Sequence, residues 1–336
     1  MDSGRKAGLA LLVVAVVVLG IGVYGLAVDR PRIQSVDNNW GTVTANQTDI
    51  ETALTVENPL LTRVGDGVAD VRYTVALNDV EFASERKNQV QLSGRDDVIN
   101  ISTSMNNDKI PSWWVTHINR NQTTTVTVDP AVVVLYSGFE APAEEQTRRR
   151  TFRTQLLEPL NSEQPRQFSA FDRTVLTITE TDAHWGEATA ERTPIDGSIT
   201  ATNELPVALP ITEIQYTIRM NGIVVGQGTA AEQTVIPPES SRTIGANATI
   251  DNSELDEWWV AHLQNNETTR LSVDFTATVD YGGVERRIPL DSVSYNRTFR
   301  TNVFDSATET EQLRRLRGRV SQPNDQFTIY PAVLKM

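Results

Sequence analysis

The feature that most constrains the fold is a repeat within the chain. The segment WWVTHINRNQTTTVTVD, which begins at Trp113, returns as WWVAHLQNNETTRLSVD, which begins at Trp258, 145 residues later. Nine of the seventeen aligned positions are identical. Two such copies are either two sites with the same chemistry or the framework of a duplicated fold, and the extent of the repeat distinguishes these alternatives.

The repeat extends far beyond the tryptophan segment. At the same spacing, Trp40-Gly41 aligns with Trp185-Gly186, and the run RTFRT at Arg150 returns, two residues out of step, at Arg297. One copy therefore spans Trp40 to Thr154, which is 115 residues and far more than an active-site motif requires. A repeat of this size indicates a duplicated domain, and 336 residues are enough for two domains of ordinary size.

Each copy has the pattern of β-strands with one buried face. In VRYTVALN every second residue is apolar, and IQYTIRMN repeats the alternation in the second copy. The alternating positions are Val71, Tyr73, Val75 and Leu77 in the first copy, and Ile214, Tyr216, Ile218 and Met220 in the second. This alternation is typical of antiparallel sheets. Asn221-Gly222, which follows directly, suits a type I′ hairpin turn.

Each copy also contains one predicted helix, which carries the tryptophan pair. In SELDEWWVAHLQNN, Ser253 is a candidate N-cap, and in the first copy Pro111 lies early in the helix, where its missing N–H costs nothing. The shared apolar face contains Trp113, Trp114 and His117 in one copy, and Trp258, Trp259 and His262 in the other. We expect each pair to close one side of the core of its own sandwich. We expect each histidine to be half-buried and hydrogen-bonded to a neighbouring loop.

These patterns predict an all-β protein of two tandem fibronectin- or immunoglobulin-like antiparallel β-sandwiches. Each sandwich carries one short helix, and one N-terminal transmembrane helix precedes them. A linker with two prolines separates the copies. The predicted boundaries are a membrane anchor at 1–29, a first sandwich at 30–155, a linker at 156–167, a second sandwich at 168–303 and a tail at 304–336.

The predicted anchor is the run from Ala7 to Val28, which has 22 residues and no charge. As a helix it would be roughly 33 Å long, enough to cross a hydrocarbon core of about 30 Å. The alternative is a cleaved signal peptide, because Gly25-Leu26-Ala27 resembles a cleavage site, although the run exceeds a signal core. Arg5 and Lys6 weakly favour an inside N-terminus. We therefore expect a single-pass protein of the cell membrane with its bulk outside the cytoplasm.

The charge of the chain limits its partners. The net charge is −13, and only four of the 30 basic residues are lysine. Nucleic acid is not an expected partner, because phosphate binding needs concentrated positive potential. An acidic, lysine-poor, threonine-rich composition predicts a protein kept soluble in high salt and a halophilic source; the alternative is an ordinary acidic soluble protein. The absence of cysteine excludes disulfides, thiolate metal sites and cysteine nucleophiles.

Six Asn-x-Ser/Thr sequons occur in the chain. The asparagine, serine and threonine content alone would give roughly four, so the excess is small. Asn121 and Asn266 fall at the same place in the two copies and are therefore the candidate glycosylation sites. They support an extracytoplasmic location only modestly.

No catalytic signature accompanies these features. The chain has no Gly-x-Ser-x-Gly elbow, phosphate-binding glycine loop or dinucleotide fingerprint. Its three histidines, which are His117, His184 and His262, lack metal-ligand spacing. We therefore predict no enzymatic activity, no cofactor and no metal site. The tryptophan pairs could stack on sugars or on partner side chains, but burial in a helical stripe explains them without a ligand, so we interpret them as packing residues.

The segment Thr55 to Glu85 resembles the opening of a water stress and hypersensitive response (WHy) domain, the folded type 2 branch of the late embryogenesis abundant proteins. The family motif is an Asn-Pro pair, then Tyr-x-apolar-x-apolar-Asn and a small-residue turn. It corresponds to Asn58, Pro59, Tyr73 and Asn78, and to Asn203, Tyr216, Asn221 and Gly222, with Glu204 in place of the second proline. The resemblance implies a fibronectin-like sandwich with one helix per copy. It also implies a non-enzymatic role in tolerating desiccation or osmotic stress, and archaeal relatives with membrane anchors fit the composition.

Two functions are compatible with these predictions. In the first, the protein is a membrane-anchored, hydrated shield that keeps client proteins or membranes apart as water is lost. In the second, it is a cell-surface adhesion or scaffold module that binds a specific partner through sheet edges and loops. A saturable partner, lost on a loop substitution, would distinguish the second function from the first.

Overall fold

The computed structural model describes residues 30–58, 67–136, 139–144, 146–170, 173–231, 233–281, 283–291 and 294–304. The described residues through Val303 form one compact unit. The predicted anchor, Pro59 and the tail from residue 305 lie outside the described residues. Within the described ranges, no helix is long and apolar enough to cross a membrane.

The first repeat consists of two antiparallel sheets and one α-helix. One sheet has the strand order β1-β2-β5, and the other has the order β4-β3-β6-β7, with β8 also paired to β6. The elements are β1 (Arg32–Val43), β2 (Gln47–Glu57), β3 (Gly67–Leu77), β4 (Val80–Leu92), β5 (Asp96–Asn106), α1 (Ile110–Asn119), β6 (Thr123–Tyr136), β7 (Phe139–Pro142) and β8 (Arg148–Arg153).

The second repeat follows the same order with its sheets partly subdivided. Its sheets run β15-β11-β10-β9, with β16 on β11, and β13-β12-β17-β18, with β14 on β12 and β19 on β17. The elements are β9 (Arg166–Ala170), β10 (Arg173–Trp185), β11 (Arg192–Asn203), β12 (Leu209–Met220), β13 (Ile223–Ala231), β14 (Thr234–Ile236), β15 (Ser241–Gly245), β16 (Ala248–Asp251), α2 (Leu255–Gln264), β17 (Thr268–Tyr281), β18 (Val284–Pro289) and β19 (Tyr295–Arg300).

The predicted alternation is present in the strands. In β3 every second side chain, from Val71 through Leu77, is at most 1% exposed, so one face of the strand forms core. Asn221 and Gly222 both have positive φ (51° and 89°), as a type I′ turn requires. The mostly β, antiparallel class with one α-helix per repeat is therefore confirmed. The arrangement as sandwiches and the domain boundaries stay predictions.

The start of the second helix differs from the prediction. Ser253 lies inside a 3₁₀ turn, Asn252–Glu254, that precedes α2. Asp251 caps this turn, because its Oδ1 accepts hydrogen bonds from the Ser253 N–H at 3.0 Å and the Ser253 hydroxyl at 2.6 Å. The helix in the first repeat begins as predicted, with Pro111 in its first turn. Asp251, and not Ser253, is therefore the capping residue.

The predicted linker, residues 156–167, is packed against the second repeat. Leu156 and Leu157 are buried, and the Tyr295 hydroxyl of β19 donates to the Leu156 carbonyl at 2.9 Å. A 3₁₀ turn, Glu158–Leu160, follows, and β9 begins at Arg166 and pairs with the outer edge of β10. The segment is thus an ordered part of the second repeat's surface.

Candidate functional site

The two helices bring the four repeated tryptophans together. The rings of Trp113 and Trp258 stack, with centroids 6.5 Å apart and planes 9° from parallel. Trp113 lies 5.6 Å from Trp259, and Trp114 lies 5.5 Å from Trp258, so the contacts are related by an approximate two-fold axis. All four side chains are at most 1% exposed.

Two further tryptophans complete the group. Trp40 meets Trp259 edge-on at 5.6 Å, and Trp185 meets Trp114 edge-on at 6.2 Å. We call the six residues the tryptophan junction: Trp40, Trp113, Trp114, Trp185, Trp258 and Trp259. Edge-to-face and offset-stacked indoles at these distances attract one another beyond their burial, by about 0.5–1.5 kcal/mol per pair.

The junction lies between the repeats, whereas we expected each pair to close its own sandwich. Adjacent helical residues point about 100° apart, so the two indoles of a pair cover a wide sector of the helix surface. Trp113 packs toward its own repeat, where Phe82 of β4 is 6.4 Å away, as well as onto Trp258. The part of each tryptophan-bearing helix face that its own repeat leaves open packs against the other repeat. The two repeats therefore share one aromatic core.

A polar chain runs beside the indoles and is the same in both repeats. Trp113 Nε1 donates to Thr124 Oγ1 at 2.9 Å, and the two ring nitrogens of His117 lie 2.8 Å from the hydroxyls of Thr124 and Thr154. The matching distances in the second repeat are 2.8 Å from Trp258 to Thr269, and 2.7 and 2.9 Å from His262 to Thr269 and Thr301. The shared arrangement is therefore Trp–Thr–His–Thr.

Both histidines are neutral in this environment. Burial lowers the pKa of His117 to about 4 and that of His262 to about 3, from 6.5. Each is at most 1% exposed, so the prediction of a half-buried histidine is wrong, whereas the predicted hydrogen bond to a loop is present because Thr154 and Thr301 lie just past the ends of their strands. Thr301 also donates to Glu267 Oε1 at 3.2 Å. His262 Nε2 is therefore the N–H that donates to Thr301, and Nδ1 accepts from Thr269.

A hydrogen bond of the tryptophan junction also crosses directly between the repeats. Trp114 Nε1 donates to Thr193 Oγ1 at 3.0 Å, and Thr193 donates to Asn252 Oδ1 at 2.9 Å. In the mirrored pair, Thr48 donates to Asn107 at 2.8 Å. The Trp259 indole N–H is buried and has no partner among the described residues, so the two-fold symmetry of the junction is broken here.

The family-motif asparagines clamp loops. Asn203 is fully buried; its amide donates to the carbonyls of Val207 at 2.7 Å and Ile236 at 3.1 Å, and its Oδ1 accepts from the Leu205 N–H at 3.0 Å. Asn58, at the equivalent position, is 2% exposed and donates to the Gly94 carbonyl at 2.9 Å. Both side chains replace backbone hydrogen bonds that a loop cannot make.

The remaining motif residues fix the hairpins. Asn78 Oδ1 accepts from the Thr125 N–H at 2.9 Å, and Asn221 Oδ1 accepts from the Arg270 N–H at 2.8 Å, so each turn is tied to the strand after the helix. Tyr73 is buried and donates to Asn38 at 2.5 Å, and burial raises its pKa to about 12. Gly222 provides the positive φ of the second turn, while Tyr216 accepts from the Thr249 N–H at 3.0 Å.

Asn203→Ala tests this clamping role. The alanine would leave buried carbonyls and one N–H without partners, so we expect the free energy of unfolding to fall by about 1–3 kcal/mol. The measurement is chemical denaturation followed by circular dichroism. Asn296→Ala, at an exposed position in β19, is the matched control and should change stability by less than about 0.5 kcal/mol. Equal effects at the two positions would contradict the assignment.

The candidate glycosylation sites lie in equivalent turns after the helices. Asn121 and Asn266 are exposed, and both have positive φ, 53° and 52°. Nothing in the described residues covers their side chains, so both sequons are accessible. Their use as glycosylation sites stays a prediction.

Sequence reasoning missed the polar partners of the junction. Their signal was present, because they are identical in both copies, three pairs at the 145-residue spacing and the last at the two-residue shift of RTFRT: Thr48 and Thr193, Asn107 and Asn252, Thr124 and Thr269, Thr154 and Thr301. The predicted residues Trp113, Trp114, Trp258, Trp259, His117 and His262 are brought together, whereas the family-motif residues lie in separate loops and hairpins. Among the described residues, no group of three or more His, Asp or Glu side chains could hold a metal ion.

These features define a class of protein: a duplicated antiparallel β-protein whose repeats are joined by an aromatic junction. The model of the family described as late embryogenesis abundant protein matches residues 198–293, in the second repeat. This match agrees with the resemblance to the late embryogenesis abundant type 2 (WHy) proteins that the motif residues predicted. None of the curated proteins compared with the chain matches it.

Two solved structures are similar to part of the chain. A crystal structure of a protein from Archaeoglobus fulgidus is 29% identical, covers 37% of this chain and 98% of its own, and has a TM-score of 0.35. The solution structure of an Arabidopsis thaliana protein is 9% identical, covers 37% of this chain and 81% of its own, and has a TM-score of 0.29. With TM-scores this low, neither structure bears on the function.

Proposed function

We propose that the protein is a non-enzymatic, membrane-anchored stress-tolerance protein. In this proposal its two repeats, as tandem β-sandwiches, form a hydrated shield for neighbouring proteins or for the membrane. The observation that carries the proposal is the family match over residues 198–293, because the family is stress-related and generally non-enzymatic. The anchor would be the run from Ala7 to Val28.

The polar surface supports shielding. The net charge of −13 keeps such proteins apart by repulsion. Serine and threonine hydroxyls on the surface donate hydrogen bonds to neighbouring aspartate and glutamate carboxylates. These pairs place polar groups that bind water close together. The pairs are Ser104–Asp49 at 2.6 Å, Ser102–Glu51 at 2.9 Å, Thr147–Asp129 at 2.7 Å and Thr229–Glu213 at 2.6 Å.

The burial of the aromatic groups supports the same function. All four helical tryptophans and both repeated histidines are at most 1% exposed, so none of them is available to a ligand in this conformation. Their hydrogen bonds go to threonines and not into a cleft. The repeated tryptophans and histidines therefore stabilise the fold, and in this proposal the exposed polar surface carries out the shielding.

Protection of a dried enzyme tests the shield. The full-length protein is mixed with a client enzyme, dried and rehydrated, and client activity and light scattering are measured. We expect less aggregation than with an unrelated protein of equal size and charge. A variant with four carboxylates replaced by amides, D49N/E51Q/D129N/E213Q, should protect less well than the wild type. Protection equal to that of the unrelated acidic protein would reject the proposal.

Protease treatment of intact cells tests the anchor and its orientation. We expect the protein in the membrane fraction, and we expect an antibody epitope in the second repeat to be lost on digestion. A protected, membrane-bound repeat would place the shield in the cytoplasm. Recovery of one partner in saturable amounts, lost on a loop substitution, would instead favour the adhesion or scaffold function.

A further inference from the structure

A polar cleft of about 890 Å³ lies where the first helix, the linker and the second repeat meet. Its volume falls within the range of about 300–1,000 Å³ that is typical of small-molecule sites. Part of its lining is apolar and comes from Ile118, Leu157 and Trp185. The rest is polar, so the cleft combines an aromatic and aliphatic surface with a set of hydrogen-bonding groups.

Several of these polar groups have no partner within the protein. The side chains of Arg153, Gln155, Glu187 and Asn121 line the cleft and make no hydrogen bond or ion pair among the described residues. By contrast, the side chain of Asn119 in the same lining is hydrogen-bonded within the protein. Its amide donates to the Ala188 carbonyl and its Oδ1 accepts from the Ala188 N–H, both at 3.0 Å. Asn119 fixes the wall, while the unpaired side chains are available to a ligand.

The charges around the cleft cancel. Arg153 and Glu187 are of opposite sign, and the remaining charged side chain of the lining apart from the histidine, Glu158, is paired at 3.8 Å with Arg297, which lies outside the lining. Charges of both signs in one lining give no large net potential that would favour an ion of one sign. Guanidinium, carboxylate and amide groups together offer both donors and acceptors, which matches a ligand whose hydroxyls both donate and accept.

We propose that this cleft binds a neutral, hydroxyl-rich small molecule: a mono- or disaccharide. Arg153, Glu187 and Gln155 would hydrogen-bond the sugar hydroxyls, while the apolar lining with Trp185 contacts the carbon-bound face of the ring. The cleft shares Trp185 with the tryptophan junction but none of the other five tryptophans, and the inference does not depend on the shield function.

Titration of the full-length protein with glucose and with maltose tests the proposal. Isothermal calorimetry and saturation-transfer NMR should show saturable binding with Kd in the millimolar range. Arg153→Ala combined with Gln155→Ala should raise Kd at least about tenfold. Neither side chain is hydrogen-bonded in the fold, so the thermal midpoint of this variant should stay close to that of the wild type.

Arg300→Ala is the matched control, because Arg300 ends the equivalent strand of the second repeat at the position aligned with Arg153. Its affinity for sugars should equal that of the wild type. Absence of saturable binding, or equal affinity in the cleft variant and the wild type, would overturn the proposal. Saturable binding of glycine betaine or acetate without binding of either sugar would also overturn it.

Discussion

Trp258→Ala is expected to lower the free energy of unfolding by about 3–5 kcal/mol, the usual cost of deleting a buried large aromatic side chain. The indole is fully buried and contacts Trp113, Trp114 and Trp259. Its loss would open a cavity at the centre of the tryptophan junction and leave Thr269 without its donor. Chemical denaturation followed by far-ultraviolet circular dichroism measures the change.

The double variant Trp113→Ala, Trp258→Ala separates shared packing from local packing. Because the two rings stack on each other across the repeats, the single losses should not add, and the coupling should be about 0.5–3 kcal/mol. Both repeats should also unfold in one transition. A Trp258→Ala protein with unchanged stability, or with additive losses, would show that the junction is not a shared core.

Acidification is expected to destabilise the protein through its two buried histidines. Their pKa values are lowered to about 4 and about 3 in the fold, against 6.5 in the unfolded chain, so only the unfolded chain takes up protons just below pH 6.5. The stability that the two neutral histidines contribute is therefore fully present above pH 6.5 and is lost as the pH falls toward their folded pKa values. The slope should be about 2.7 kcal/mol per pH unit down to about pH 4.

The surroundings of the histidines explain why protonation is unfavourable. A charged His262 would direct its Nδ1–H at Thr269, whose oxygen already accepts from Trp258, and the Thr269 hydroxyl hydrogen would then lose its acceptor. The same holds for His117 with Thr124. Glu267 is the nearest carboxylate in this network, and it is separated from His262 by the Thr301 hydroxyl.

Variants distinguish the histidines from the many carboxylates of the chain. His117→Gln with His262→Gln should unfold more easily at pH 7 but should show a much shallower loss of stability between pH 6.5 and 4.5. His184→Gln is the control, because the His184 side chain is 68% exposed, and it should leave the slope unchanged. A slope that persists in the double variant would assign the acid sensitivity to other groups.

Much of the local structure could be predicted from the sequence because it depends on short-range rules. The alternation from Val71 to Leu77 requires one buried face, and Asn221-Gly222 suits only a few turns. Pro111 restricts where the first helix can begin. The capping residue was misassigned because Asp251 and Ser253 both suit that role, and a 3₁₀ turn of three residues has no periodicity of its own.

The junction could not be predicted because it depends on which surface covers an apolar helical face. Sequence periodicity shows that Trp114 lies on the apolar face of its helix. It does not identify the hydrogen-bond partner of Trp114, which is Thr193, 79 residues away in the other repeat. The near-complete burial of His117 and His262 could not be predicted for the same reason. Thr154, at the end of β8, lies over His117 only because the strand passes the helix in three dimensions. The repeat alignment does mark these threonines, although it does not show what they contact.

The shared core makes the chain a covalently joined counterpart of a homodimer, since two related surfaces meet about an approximate two-fold axis. A tether keeps their effective concentration high, so association no longer depends on the amount of protein. Subunits with one sequence must present identical clefts, whereas joined copies can diverge. Gln122 already corresponds to Glu267, and His184 to Asn39. Tethering thus lets a symmetric core support two chemically different outer surfaces.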